Sequence, residues 1–407
     1  MIEGPIQTNN SGLVFYFDTK EPKSYVGEPT TNLNQQVSNY TGTGYSSDGE
    51  WLSDPTRFTK TYDASIITPI GFGATLCTES GTAGFHHLSR MGGGGESGTH
   101  SISCYVKPLN SITNFTIGML GDGGNQVSFN LSTKAITYGG AISNRNAFCI
   151  EVSGFPGWLY VGANIEGRAG GWVGCVGIST SSSYTPTAPY KAFYITGLQY
   201  EYKAAPTKFT VGTRSNTQGL LDLTGGSTID LTNAGYNASS EITFNGSSNY
   251  ITTPTINLGN AFTVSAWFNS SAVSGDSTIV GTDANGCDNW LGVYNGYLYG
   301  FVTQSTDINN FTFSGATALS NNQWYHGTIV VNGNTATLYL NGKQDYTTTT
   351  AFTIGAWNGV FSIGRRCPAV AQRFFNGKIE TVSMYNRALS ASEILKNFNS
   401  QRSRYSV

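Results

Sequence analysis

The apolar segments of this chain are repeated short β-runs divided by Gly, Asn and Ser clusters. In the first half these include "FTKTYDAS", "HSISCYVKP", "FTIGML", "QVSFNLS", "WLYVGANIE" and "AFYITGLQYEY". In the second half come "FTVSAWFNS", "STIVGT", "NWLGVYNGYLYGFVT", "WYHGTIVVN", "TATLYLNG" and "KIETVSMYN". Helical periodicity is nearly absent. Two-residue alternation punctuated by turn formers specifies antiparallel strands. Many short strands at this spacing fold as sandwiches or jelly rolls. The expected fold class is all-β: two antiparallel β-sandwich or jelly-roll domains with one short C-terminal helix.

Composition supports packed cores under a neutral surface. Charged residues are 11% of the 407, against roughly 25% in an ordinary soluble chain. Yet 39% is hydrophobic, so the segments can bury enough apolar surface to fold. A net charge of -2 with no basic stripe argues against nucleic acid as a partner. No apolar run approaches the ~18 residues that span a bilayer. The opening "MIEGPIQTNN" has neither a basic nor an apolar signal region. The expectation is synthesis in a host cytoplasm without a signal peptide, and release by lysis. Arg402 and Arg404 read as a solvated tail, and Arg365 and Arg366 as a surface turn. The six cysteines show no C-x-x-C or Cys/His metal spacing, so free thiols are the default. A Cys287–Cys367 bridge is neither required nor forbidden by sequence.

Local signals sharpen the second half. "VVNGNTATLYLNGKQ" reads as a hairpin, with Asn and Gly supplying the positive φ its turns require. "SASEILKNFNS" carries a capping box, Ser390 with Glu393, and places Ile394, Leu395 and Phe398 on one expected face.

These residues resemble known families. "FTVSAWFNSS", "NNQWYHGTIVVNGNTATLYLNG", "FSIGRR" and "FFNGKIETVSMYNRALSASEI" together resemble laminin-G-like domains of the concanavalin A-like lectin/glucanase superfamily, over about residues 219 to 400. Glu380 stands where that family usually has Asp. "TTNLNQQ", "HSISCYVKP" and "FYITGLQYEYKAAPTKFTVGTRS" resemble carbohydrate-binding-module-like jelly rolls, the last being similar to a closing segment that recurs in bacteriophage virion proteins. "GLVFYFDTKEPKSYVG" resembles the first strand of phage-type laminin-G-like domains, whose next element, here "LLDLTGGSTIDLTNAGY", stands at residues 220 to 236. The resemblance therefore implies an inserted jelly roll at 29–214, a laminin-G-like sandwich from 11–28 plus 215–400, and tails at 1–10 and 401–407. Leu13 to Asp18 would then lie beside Ile379 to Tyr385. The alternative is that this run begins the jelly roll.

The superfamily includes glycoside hydrolases, whose chemistry takes two carboxylates. On a strand these would appear as alternate acidic residues, and no such row exists. Glu380 and Glu241 are isolated, and Asp48 and Glu50 near Trp51 fall in a Gly/Ser-rich loop. Adjacent His86 and His87 would face opposite sides of a strand, and His326 reads as buried beside Trp324. "MGGGGES" lacks the Lys-Ser/Thr of a phosphate loop. Catalysis is therefore not expected. Calcium takes loop oxygens, and Asp283, Asn285 and Asp288 alternate suitably for it; an Asx-rich turn is the preferred reading of the same residues. No other cofactor is implied. Sugar rings stack on aromatic faces beside neutral polar groups. The candidates are Trp290, Tyr294 and Tyr297 with Asp288 and Asn289, and Trp158 and Trp172 in Gly-flanked turns. For each aromatic the competing reading is core.

Together these imply a non-enzymatic bacteriophage protein on the virion surface, a decoration or adhesin of capsid or tail. Its partners would be other virion proteins, present in multiple copies or as a homo-oligomer, and host surface polysaccharide. A purely structural decoration protein and a secreted bacterial carbohydrate-binding protein or glycanase are the alternatives.

Overall fold

The computed structural model describes residues 10–33, 40, 53–91, 99–109, 112–119, 126–139, 146–166, 173–237, 240–284, 289–304 and 309–407. The chain is mostly strand, in antiparallel sheets, with one α-helix near its C-terminus among the described residues. It divides into two compact units, one of residues 1–29, 215–237 and 241–407, the other of 30–214 and 238–240.

In the first unit an eight-stranded sheet runs Gly235–Tyr236, Ile242–Asn245, Asn376–Tyr385, Ala261–Ser270, Trp324–Asn332, Thr335–Leu340 and Lys343–Thr349, with Leu13–Asp18 also paired to Asn376–Tyr385. Leu13 lies opposite Tyr385 and Asp18 opposite Thr381. A six-stranded sheet runs Ile251–Asn257, Asn358–Ile363, Asp276–Thr282, Asn289–Tyr294, Tyr297–Thr303 and Asn310–Ala318. Alternate residues of both sheets meet in one core: Phe15, Phe17, Val264, Ile329 and Val382 from the first, Ile279, Leu291, Val293, Leu298 and Ile363 from the second. Phe15 and Phe17 are fully buried in it, so the run "LVFYFD" belongs to this core and not to the jelly roll.

Turn chemistry sets the registers. Asn332 pairs Thr335 across the Gly333 turn (φ +66°), and Leu340 pairs Lys343 across Asn341 and Gly342 at φ +50° and +77°. Helix Ala391–Gln401 starts at the expected box: Glu393 N–H donates to Ser390 Oγ at 3.4 Å, and Ser390 N–H to Glu393 Oε2 at 2.8 Å. Its buried face is Ile394, Asn397, Phe398 and Gln401. Leu395 is 42% exposed, because one step of ~100° turns it off the stripe set by i, i+3, i+4 and i+7.

The expected solvated tail is docked instead. Both Arg404 Nη atoms donate to the fully buried Asp18 carboxylate, at 2.6 and 3.0 Å. The Tyr405 ring stacks 4.1 Å from Trp267, whose Nε1 donates to Gln401. Arg365, expected at the surface, is buried with its guanidinium 3.5 Å from the Tyr250 ring; cation–π attraction and bonds to Ser362 and Pro368 compensate its desolvation. Cys367 is disulfide-bonded, correcting the free-thiol reading there; Cys287 lies outside the described residues. Cys77, Cys104 and Cys149 are free and buried, and burial pushes the Cys77 thiol up to about 12.

The second unit is a sandwich of a six-stranded sheet, ordered Phe148–Glu151, Leu159–Glu166, Thr99–Leu109, Ala192–Glu201, Ala74–Glu79 and Phe58–Asp63, and a five-stranded one, ordered Gly84–Met91, Val173–Tyr184, Asn114–Met119, Gln126–Asn130 and Ile136–Gly139. Ile102, Val161 and Phe193 from the first meet Leu88, Phe115, Phe129 and Val176 from the second. Thr30–Thr31 and Thr213–Arg214 pair at its two chain ends.

Candidate functional site

On strand Asn289–Tyr294, Leu291 and Val293 enter the core, so Trp290, Gly292 and Tyr294 take the outer face. The turn at Asn295 and Gly296 (φ +47° and +87°) returns the chain with Tyr297 opposite Tyr294, Tyr299 opposite Gly292 and Phe301 opposite Trp290. The two-residue turn thus gathers five aromatics on one surface. Tyr299 bridges them, 5.1 Å from Trp290 and 5.0 Å from Tyr294. Tyr294 and Tyr297 are 39% and 37% exposed. Position 292 must be Gly, because a Cβ there would strike the Ser277 carbonyl oxygen and sit 2.8 Å from the Trp290 ring. The indole therefore lies along the sheet over that gap.

Trp290 nevertheless is only 1% exposed. The Arg373 guanidinium lies over its ring, 4.8 Å from the centroid. Arg373 Nε also holds Asp276 Oδ2 at 2.8 Å, and Arg373 O accepts from Thr278 N–H at 2.9 Å. Asp276 stands opposite Tyr294 and Thr278 opposite Gly292, so both share the outer face. Burial pushes the Asp276 carboxyl upward, against the pull of Arg373 and Arg366. Four polar atoms here are buried without a hydrogen-bond partner: Trp290 Nε1, Arg373 Nη1, Asp276 Oδ1 and Thr278 Oγ1. Buried polar groups are almost always paired, so four orphans around one ion pair mark this surface out.

Asn289, expected beside these aromatics, faces the other way. Its amide donates to Ala284 O and Thr303 Oγ1, and its oxygen accepts from Thr303 N–H and Trp357 Nε1. It is fully buried and structural. Asp288, Asn285 and Trp172 lie outside the described residues. Asp283 Oδ1 accepts from Val360 N–H at 2.8 Å, which ties it to the neighbouring strand. Among the described residues no three His, Cys, Asp or Glu side chains gather as for a metal.

Trp158 lies elsewhere, in the jelly-roll unit, at the end of the turn Val152–Trp158. Val152 N–H donates to Trp158 O, and Gly154 and Gly157 take φ of +80° and +81°. Trp158 is 2% exposed and lines a cavity of about 170 Å³ with Pro108, Leu131, Phe155 and Leu159. Lys134 and Glu151, ion-paired at 2.7 Å, complete its wall. Pockets for drug-sized ligands run to ~300–1,000 Å³, so this one has room for about a single small ring.

Other titratable groups are engaged structurally. Glu241 is held at about 2: burial opposes this, but bonds from Lys378 and Asn237 and the charge of Lys20 prevail. Lys20 also pairs with Glu380 at 3.2 Å, where burial outweighs the lysine and raises the carboxyl. His86 and His87 are both buried; His86 Nδ1 stands 4.0 Å from Glu79 Oε1, and burial drives that carboxyl up and that imidazole down. Asp48, Glu50, Trp51 and residues 92–97 lie outside the described residues.

Residues 245–395 match the family described as the concanavalin A-like lectin/glucanases superfamily. No curated protein matches the chain. Among solved structures, the binding domain of botulinum neurotoxin serotype G is similar at 15% identity, over 46% of this chain and 49% of its own, with TM-score 0.37. The binding domain of Paraclostridial Mosquitocidal Protein 1 is similar at 18% identity, over 44% and 49%, with TM-score 0.36. Domain 4 of AbnA, a GH43 extracellular arabinanase from Geobacillus stearothermophilus solved with arabinotriose, is similar at 19% identity, over 45% and 92%, with TM-score 0.35. This chain spans about half the length of the two toxin binding domains.

Proposed function

We propose that this chain is a non-catalytic, carbohydrate-binding protein displayed on a bacteriophage particle, as a decoration or adhesin of capsid or tail. The observation that carries the carbohydrate reading is the aromatic surface of Tyr294, Tyr297 and Tyr299 beside Trp290, on the outer face of the six-stranded sheet. Flat aromatic rings edged by polar side chains suit the apolar faces and hydroxyls of sugars. The lectin-like match over 245–395 supports the same reading. The virion assignment rests on the resemblance of "FYITGLQYEYKAAPTKFTVGTRS" to phage virion proteins, and it implies other particle proteins as neighbours and many copies per particle. Non-catalysis is supported by the carboxylates: Glu380 and Glu241 share Lys20 in an ion-pair network, which serves neither as a free acid nor as a free base.

Tyr294→Ala/Tyr297→Ala tests the glycan site. Both rings are partly exposed, so the melting temperature should hold while retention on host surface polysaccharide falls at least tenfold. Undiminished retention overturns this site. Antibody labelling of intact particles tests the location, and unlabelled particles overturn the virion role.

A further inference from the structure

We propose that the indole of Trp290 is a stacking platform for an uncharged pyranose ring, and that Arg373 occupies this platform in the free protein as a displaceable cover. The inference rests on the carbohydrate reading above and adds what controls access. Trp290 lies over Gly292, where a Cβ would strike its ring, so one face of the indole is set against the sheet. Tyr299 and Phe301 pack against the indole at 5.1 and 5.9 Å, and the Arg373 guanidinium stands over its ring at 4.8 Å. The arginine side chain is itself 27% exposed, so it can swing into solvent without unpacking the core. Its backbone is fixed meanwhile by the bond between Thr278 N–H and Arg373 O.

The covered state is imperfect. Trp290 Nε1, Arg373 Nη1, Asp276 Oδ1 and Thr278 Oγ1 are all buried and unpaired in it. A buried polar group without a partner is penalised, which makes the cover weak. A sugar ring in place of the guanidinium brings hydroxyls that can accept from the indole N–H and donate to Asp276 and Thr278. The departing Arg373 regains water on all its donors. Tyr294 and Tyr297, already exposed on the same face, continue the surface for a second ring. Asp276, freed of its ion pair, repels carboxylates, so the expected class is neutral pyranose polymer in preference to uronate polymer.

The test compares wild type, Arg373→Ala, Trp290→Phe and the double variant on immobilised dextran, mannan, galactan and alginate. Acrylamide quenching of tryptophan emission is measured alongside. Arg373→Ala should raise affinity for a retaining neutral polymer about tenfold, the gain for a surface otherwise open about a tenth of the time. It should also increase the quenchable emission, and that increment should vanish when Trp290 is Phe. Where Arg373→Ala does not fold, the shorter, uncharged Arg373→Gln replaces it with the same expectations. Weaker binding in the arginine variant overturns the cover and makes Arg373 a ligand contact. An unchanged quenching signal overturns it as well. Tighter retention on alginate than on the neutral polymers overturns the ligand class. Absence of retention on all four by both wild type and Arg373→Ala overturns the platform together with the carbohydrate reading, whereas retention that Arg373→Ala leaves unchanged overturns the cover alone.

Discussion

Arg404→Ala should severely destabilise the unit that holds residues 1–29, 215–237 and 241–407. Asp18 is fully buried, and both of its oxygens receive the guanidinium, at 2.6 and 3.0 Å. Removing one member of a buried ion pair costs about 3–5 kcal/mol, because the other charge stays behind without compensation. Here the Tyr16 hydroxyl and the Lys20 N–H still donate to Asp18, and Arg404 is partly exposed, so the lower end, about 3 kcal/mol, is expected. For a unit of this size that corresponds to a fall of about 6–12 °C in melting temperature. Differential scanning calorimetry with urea denaturation measures it. A cycle with Asp18→Asn isolates the cause: the double variant should be about 1–2 kcal/mol more stable than additivity allows, since the amide removes the stranded charge. A loss below about 0.5 kcal/mol, or strict additivity, would refute the claim that this ion pair anchors the tail.

Two further outcomes are expected. An inserted jelly roll means that a chain lacking residues 30–214, with Pro29 joined to Ser215, should still fold and unfold cooperatively, because Val26 and Gly27 N–H already donate to Gly219 O within the remaining unit; loss of strand signal in circular dichroism would overturn it. His326, buried between Trp267 and Phe398, has its imidazole pushed down to about 4 by desolvation. The unfolded chain takes up this proton near pH 6.5 and the folded one does not, so stability present above pH 6.5 is lost as pH falls toward 4, by about 3 kcal/mol; denaturation at pH 7 and pH 4.5 should show a smaller loss in His326→Phe, and equal losses would overturn the assignment.

The all-β class was legible because alternation and turn chemistry are local signals. "LNGKQ" dictates positive φ wherever it sits, and Ser390 with Glu393 caps a helix in any context. The pairing of Leu13–Asp18 with Asn376–Tyr385 is not local, and only resemblance pointed to it. The docked tail was illegible for the same reason. Its partner Asp18 stands 386 positions away, and a terminal "QRSRYSV" is polar enough to look solvated until Tyr405 is seen stacked on Trp267.

Strand parity decides which of these side chains share a face. Asn289 and Trp290 are adjacent in an extended strand and must point to opposite faces, so they could never flank the same sugar. Once Leu291 and Val293 are recognised as core, parity places Trp290 and Tyr294 outward, and the Asn-Gly turn brings Tyr297 beside them. Parity does not say whether an outward aromatic is free. That depends on Arg373, which comes from an irregular segment with no period to read, more than 80 positions beyond Trp290. Its ion pair with Asp276 and its orphaned neighbours emerge only when this segment meets the adjacent strands Asp276–Thr282 and Asn289–Tyr294. Trp290 is accordingly buried on the outer face of the sheet, beneath a charged side chain instead of beneath the core.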